Sequence, residues 1–293
     1  MTKSGYVAII GRPNVGKSTL LNCLIGKKVS ITSPKPQTTR HQILGIKTHD
    51  GTQAVYIDTP GVHKAEKRAM NRYMNRLAHS VIQDADLIIF IVEANRFQED
   101  DELVLERLKE AKAPVILVIN KVDVLKDKSR LLPFIDKIKS SFDFADIVPI
   151  SARKKDNIAV LEKIIADRLP ENPYFFPEEQ ITDKTDRFQI TEIIREKLIK
   201  ETEEELPYTT TVIVESLKQE GRLTSIHAIV WVEREGQKPI VIGKNGDRLK
   251  RISTLARKEI ETLLGTKVFL RVWVKVKDDW TDDERALGSL GYE

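Results

Sequence analysis

The sequence has a single cysteine in 293 residues, Cys23, so no internal disulfide can staple the chain and a disulfide-built fold is excluded. It also lacks a long apolar run. The longest wholly apolar stretch, 87–92, falls far short of the roughly 20 residues that span a bilayer. No cleavable signal pattern precedes Val7, so a cytoplasmic protein in a reducing compartment is expected. A dominant charge is missing too: 48 Lys and Arg face 44 Asp and Glu, for a formal charge of only +4. With 41% hydrophobic residues, general disorder is excluded. At roughly 150 residues per domain, the length suits two domains.

Short Val- and Ile-rich runs at 6–10, 54–57, 87–92, 115–119 and 147–150 read as strands buried on both faces. Helical patterns fit between them at 17–25, 69–82, 99–109, 132–141 and 158–169. This alternation predicts an α/β fold, a mostly parallel sheet covered by helices on both sides. The polar-alternating run 43–49 is expected to be an antiparallel edge strand. The pattern then breaks. Pro170, Pro173 and Pro177 interleave with Tyr174, Phe175 and Phe176, a connector that blocks regular structure and offers rings to tether it. Beyond it the expected order is helix (185 to about 205), strands (209–215, 224–233), helix (247–264) and strand (267–277), a small α+β domain. The division is thus 1–170, a linker at 171–183, a second domain at 184–277 and a tail at 278–293. Thr281-Asp282-Asp283-Glu284 in the tail reads as a capping box that starts one short helix.

Gly11-Arg12-Pro13-Asn14-Val15-Gly16-Lys17-Ser18 matches G-x-x-x-x-G-K-[ST] between the first strand and first helix. Glycines there let backbone N–H groups surround phosphate oxygens at the positive end of the helix dipole. Lys17 is placed to reach the β- and γ-phosphates and Ser18 to ligate Mg²⁺. Asp58-Thr59-Pro60-Gly61, followed by Val62, offers a carboxylate for the Mg²⁺ shell and the Gly61 N–H for the γ-phosphate. Asn120-Lys121-Val122-Asp123 points to guanine: the Asp123 carboxylate can accept from N1–H and the exocyclic amine, a donor pair that adenine lacks. Lys121 can lie along the base, and Ser151-Ala152 can close the pocket through backbone N–H groups. Four motifs in this order predict a GTP site.

Between Lys238 and Lys277, eleven Lys and Arg face three acidic residues, a local excess that suits a phosphate backbone. Ile240-Val241-Ile242-Gly243-Lys244-Asn245-Gly246 leads into an amphipathic helix with Leu249, Ile252, Ala256, Ile260 and Leu263 on one side. A G-x-x-G turn there admits a nucleic-acid backbone with no Cβ in the way. Lys244, Arg248, Lys250 and Arg251 stand near enough for phosphates, and an apolar edge ending at Ile242 can meet bases. In the last strand, Phe269 and Trp273 offer two readings, rings that stack on bases or packing residues of a small sheet; packing is the expectation, as it is for His227 and Trp231 before them.

The first-half motifs resemble those of the Ras-like P-loop GTPases, and the second half resembles a type II KH domain, whose G-x-x-G loop holds single-stranded RNA. The GTPase resemblance implies Thr39 as the Mg²⁺-binding switch threonine, with Thr38 as the alternative, and Lys17, Thr39, Gly61 and Asn14 as the groups around the reacting phosphate. It departs from the family at Val62, where Ras-like proteins have a glutamine that orients water, so slow turnover is expected, on the order of one per minute or less. Asn14 in that context implies a K⁺ ion beside the phosphates.

The whole chain is similar to the Era-type GTPases of bacterial ribosome assembly. Further residues carry that likeness: Gln37-Thr38-Thr39-Arg40-His41, Leu206-Pro207-Tyr208, Trp273-Val274-Lys275-Val276-Lys277 and Asp282-Asp283-Glu284-Arg285-Ala286-Leu287. It implies a monomer with GTP or GDP and Mg²⁺ as ligands. The implied partners are the 3′ end of 16S rRNA, the 30S subunit and a peripheral inner-membrane contact. RNA affinity is expected to follow nucleotide state through switch segments near 31–40 and 58–71, while Arg12, Arg40 and the basic residues of 64–72 could face either the second domain or the ribosome. Two other readings stay open: an RNA chaperone that uses GTP only as a structural ligand, and a GTPase acting on another RNA such as tRNA.

Overall fold

The runs Val7–Ile10, 87–92 and 115–119 carry no polar residue, so strands built from them need cover on both faces. The computed structural model supplies it. It describes residues 1–293 apart from 36, 62–68, 203–205, 291 and 293, and leaves aside the side chains of 207 and 289. The chain divides into two compact units, Met1–Thr32 with Thr39–Glu66 and Met74–Asp183, and Ser33–Thr38 with Lys67–Tyr73 and Lys184–Glu293.

The first unit runs β1 (Lys3–Ile10), α1 (Lys17–Ile25), β2 (Ile43–His49), β3 (Thr52–Asp58), α2 (Ala69–Asp84, whose first turn belongs to the second unit) and β4 (Leu87–Glu93). It continues with α3 (Glu99–Leu108), β5 (Val115–Asn120), α4 (Leu131–Lys139), β6 (Asp146–Pro149) and α5 (Ile158–Arg168). The six strands lie in the order β2-β3-β1-β4-β5-β6, all parallel except β2, which pairs antiparallel with β3 at the edge. Ile88, Phe90, Leu117 and Ile119 sit in the buried core with Val104 and Leu108 of α3 and Phe134 and Ile138 of α4. Register aligns Ile9 with Asp58, Ile10 with Phe90 and Glu93 with Asn120. The loops after β1, β3, β5 and β6 therefore open at one sheet edge, where ligands of such folds bind.

The proline-rich connector lies along this unit. Phe175 stacks on Tyr6 with ring centroids 5.1 Å apart, and Gln53 Oε1 accepts from the N–H groups of Phe175 and Phe176 at 2.8 and 3.0 Å.

The second unit runs α6 (Asp186–Glu201), α7 (Leu206–Thr209), β7 (Thr210–Glu220), β8 (Leu223–Val232), α8 (Lys238–Ile242), α9 (Asp247–Leu264), β9 (Lys267–Val276) and α10 (Glu284–Ser289). Its three strands lie in the order β7-β8-β9, with β7 antiparallel and β9 parallel to β8. The first strand is longer than the sequence suggests because the register shifts between Val214 and Ser216, a bulge that lets pairing continue to Glu220. Val212, Val214, Ile226, Ala228 and Val230 face Ile190, Ile194 and Leu198 of α6 and Ile252, Ala256 and Ile260 of α9.

Two expectations change here. Phe269 and Trp273 do not pack inward: they stand 45% and 37% exposed, because both helices cover the opposite sheet face. In the tail, the cap of α10 is Asp283, whose side chain accepts from Arg285 N; Thr281 instead donates its hydroxyl to Glu233. Trp280 is fully buried, with Nε1 donating to Thr209 O at 3.1 Å. Among the described residues no helix is long and apolar enough to cross a membrane.

Candidate nucleotide and RNA sites

The loop after β1 turns through two left-handed residues, Asn14 (φ 65°) and Gly16 (φ 106°). A Cβ on Gly16 would lie 2.4 Å from Asn120 Nδ2, and one on Gly11 would lie 2.4 Å from Ile91 O, so both positions need glycine. Lys17 enters this loop from the first turn of α1. Its Nζ donates to Gly11 O and Arg12 O at 2.8 and 2.9 Å. Burial lowers its pKa to about 8, against the opposing pull of Asp58. Asn14 is exposed on the loop and Val15 is buried beneath it.

Asp58, at the end of β3, is fully buried. Its Oδ2 accepts from Ser18 Oγ at 2.7 Å and Ser30 Oγ at 2.9 Å, and Thr39 Oγ1 lies 2.8 Å from Ser18 Oγ. Asp58 Oδ1 has no hydrogen-bond partner among the described residues. Burial raises the carboxyl's pKa, and the Ser18 hydrogen bond and the Lys17 charge act against that rise. Two hydroxyls and a half-satisfied carboxylate form a small hard-oxygen set of the kind that suits Mg²⁺ held jointly with phosphates. Ser30, which braces Asp58, carries no motif signal and was not anticipated. Thr38 turns the other way, its hydroxyl donating to Lys35 O at 2.7 Å. Thr59 donates to Ile9 O at 3.1 Å, Pro60 is buried, and a Cβ on Gly61 would lie 2.8 Å from Pro13 Cγ. The backbone after β3 thus rests directly on the phosphate loop. Val62 lies outside the described residues.

Asn120 ties two loops together, donating to Val15 O at 2.8 Å and accepting from Ala152 N at 3.0 Å. Lys121 is left-handed (φ 66°), which begins the turn carrying Val122 and Asp123. Asp123 Oδ1 accepts from Ser151 Oγ at 2.7 Å. The Ser151 and Ala152 N–H groups are engaged by Asp156 O and Asn120, and the Ser151 side chain orients the Asp123 carboxylate.

Arg12 also differs from expectation. It is buried, with Nε on Asp101 at 2.9 Å and NH2 on Glu93 at 3.2 Å. Glu93 Oε2 also takes Lys121 Nζ at 3.1 Å, linking the loop after β1 to the turn after β5. Burial alone would raise the Glu93 pKa, but the hydrogen bonds and charges of Lys121 and Arg12 outweigh it and hold the carboxyl low. Arg40 is fully buried as well. The partners of Arg12 lie dozens of residues away along the chain, which a linear motif does not show.

In the second unit, the three residues Gly243 (φ 77°), Asn245 (φ 53°) and Gly246 (φ 81°) are all left-handed. A Cβ on Gly243 would lie 2.7 Å from Arg248 Cβ, whereas Gly246 borders open space. Lys244, Asn245, Lys250 and Arg251 are exposed. Arg251 pairs with Glu201 at 3.1 Å. Arg248 donates to Ile240 O. The 240–242 segment is the end of α8, with Val241 buried, Ile240 46% exposed and Ile242 half-buried. Two segments from the first half of the sequence, Ser33–Thr38 and Lys67–Tyr73, belong to this unit as well. Arg195, fully buried on α6, forms an ion pair with Glu192 at 2.7 Å and donates to Thr38 O; Gln37 donates to Asn71 at 3.1 Å.

Comparison with known proteins gives the same two halves. A model described as "50S ribosome-binding GTPase" matches residues 6–121, and a KH domain model matches 205–281. GTPase Era of Pseudomonas aeruginosa is 54% identical over 291 residues, covering 99% of this chain and 95% of that relative. GTPase Era of Pseudomonas fluorescens is 53% identical over 99% of this chain and 97% of its own. Among solved structures, Era in complex with MgGDPNP and nucleotides 1506–1542 of 16S ribosomal RNA superposes with a TM-score of 0.97 at 41% identity, covering 100% of this chain and 99% of that one. An Aquifex aeolicus Era variant bound to GDP and AlF4⁻ gives 0.96 at 41% identity over 99% of each chain.

Proposed function

Because the chain belongs to the Era family of GTPases, we propose that it couples GTP binding and hydrolysis to its hold on the single-stranded 3′ end of 16S rRNA during assembly of the 30S subunit. One observation carries the coupling. Thr39 reaches Ser18 beside Asp58 in the nucleotide pocket, while its chain neighbour Thr38 is held by Arg195 of α6 in the KH unit. A change at one end of that dipeptide is therefore felt at the other, and by linkage RNA binding acts back on the nucleotide.

Ser18, Thr39 and Asp58 would hold Mg²⁺, which when bound neutralises charge on the β- and γ-phosphates. Lys17 exchanges its two loop carbonyls for phosphate oxygens, and the Gly61 N–H stands where the backbone meets the phosphate loop. Asp123, oriented by Ser151, selects guanine. Asn14, exposed at the loop tip, would share a K⁺ ion with the phosphates; equal turnover in K⁺ and Na⁺ at matched ionic strength removes that element. In the second unit the loop 243–246 clamps the RNA backbone, with Lys244 and Lys250 on phosphates. A monomeric state and a peripheral contact between the basic stretch 238–277 and anionic lipid complete the proposal. Its central test is a titration of unpaired 16S 3′-end RNA into protein loaded with GDP or a non-hydrolysable GTP analogue. The two affinities should differ, and identical curves refute the coupling.

A further inference from the structure

The sheet of the second unit has one face under α6 and α9 and another that neither covers. Outward from β9 point Phe269, Arg271, Trp273 and Lys275, and alongside them from β8 His227 and Trp231. The order is interleaved. The Arg271 guanidinium lies 5.6 Å from the Phe269 ring centroid and 5.7 Å from that of Trp273. His227 meets the Trp273 ring edge-on at 5.3 Å, and the Lys275 ammonium stands 5.9 Å from the Trp231 ring. The acid beside these groups, Glu215 of the bulge, is 3.6 Å from Lys275.

Exposed rings on one face of a sheet, Phe269 and Trp273, with cations between and beside them, match the needs of an unpaired polynucleotide. Each base offers a π-face to a ring and each phosphate an anion to the adjacent cation. A membrane-inserting face would gather its rings into one apolar patch, whereas here a guanidinium separates Phe269 from Trp273. We infer that the outer face of β8 and β9 is a second RNA surface, which stacks bases of an unpaired segment on Phe269 and Trp273 while Arg271 and Lys275 meet its phosphates. This deepens the reading of the KH unit as the RNA-binding half, and rests on it. A stacking platform of this kind adds sequence-tolerant affinity to a loop that clamps about four nucleotides.

The test uses the full chain with two probes, unpaired adenine-rich RNA oligonucleotides of about four and about twelve nucleotides, the shorter matched to the loop alone. Binding is followed by anisotropy and by tryptophan fluorescence. The longer probe should bind more tightly and quench Trp273. Phe269→Ala with Arg271→Ala should weaken the longer probe about tenfold or more, leaving the shorter probe and GTP affinity unchanged. Trp273→Phe should abolish the quench while keeping most of the affinity. Gly243→Asp should remove the shorter probe's binding yet leave measurable quenching by the longer one. Equal binding of the longer probe by the double variant and the unsubstituted chain overturns the proposal. So does a double variant that loses only its hold on phosphatidylserine vesicles, which would make the face a lipid contact. Failure of the loop reading looks different: Gly243→Asp would then leave the shorter probe unaffected.

Discussion

Nucleotide binding should take up a proton, because the nucleotide-free pocket holds Lys17 at a pKa of about 8. Burial produces that shift, and a polyphosphate replacing the Gly11 and Arg12 carbonyls around Nζ returns the ammonium to its ordinary range. The magnitude follows from linkage. At pH 7 the free pocket carries about nine-tenths of a proton on Lys17, and at pH 8.5 about one quarter. Binding therefore takes up about one tenth of a proton at pH 7 and about three quarters at pH 8.5, and GDP affinity falls about fourfold between them. Calorimetry in two buffers of different ionisation enthalpy reads the uptake directly. The folding linkage has the opposite sense. Lys17 titrates near 10.5 when unfolded, so between about pH 8 and 10.5 the unfolded state binds more protons, and its contribution makes the nucleotide-free protein more stable as pH rises through that window. The buried ammonium is thus a local destabilisation at neutral pH that the ligand relieves. No proton uptake at pH 8.5, with tight binding preserved, would refute the reasoning.

Gly16→Ala should lower nucleotide affinity by at least tenfold, since its Cβ would meet Asn120 Nδ2 at 2.4 Å from a backbone at φ 106°; fluorescent-nucleotide titration measures it. Asp123→Asn should weaken GTP by about a hundredfold and favour xanthosine triphosphate, whose 2-oxo group accepts from the new amide; competition between the two nucleotides checks the reversal. Arg195→Met alone should destabilise by about 3–5 kcal/mol, because it removes one partner of a buried ion pair. Arg195→Met with Glu192→Leu should recover much of that stability in denaturant melts, yet lose the difference in RNA affinity between GDP and GTP-analogue states, as the hold on the Thr38 carbonyl is gone.

Elements whose cause is local were legible. The apolar runs of β4 and β5 need cover on both faces, and that requirement is visible without knowing the cover. The alternating run 43–49 announced an edge strand, and β2 is one. The span of α9 could be read to the residue, because Gly246 precedes it, Gly265 follows it and its apolar spacing is regular between them. Ends set by distant partners were not legible. The bulge that carries β7 on to Glu220 depends on β8, and the Asp283 cap of α10 is selected once Thr281 is committed to Glu233.

The same distinction explains which side chains were misread, and why they matter most. Arg12 is a cation in a phosphate-binding motif, so its sequence context suggests an outward role. Its position is decided instead by Glu93 and Asp101, more than eighty residues on, which bury it as a brace between the loop after β1 and the turn after β5. Phe269 and Trp273 present the reverse case. Alternation along β9 shows that they share a face but not whether anything covers that face, and both helices of the unit pack against the other one. A charge drawn inward needs partners, and a ring left outward leaves apolar surface for some ligand to cover. Departures from sequence expectation in these two directions therefore have different meanings: the first locates the scaffold of the known chemistry, and the second locates surface that the known chemistry does not use.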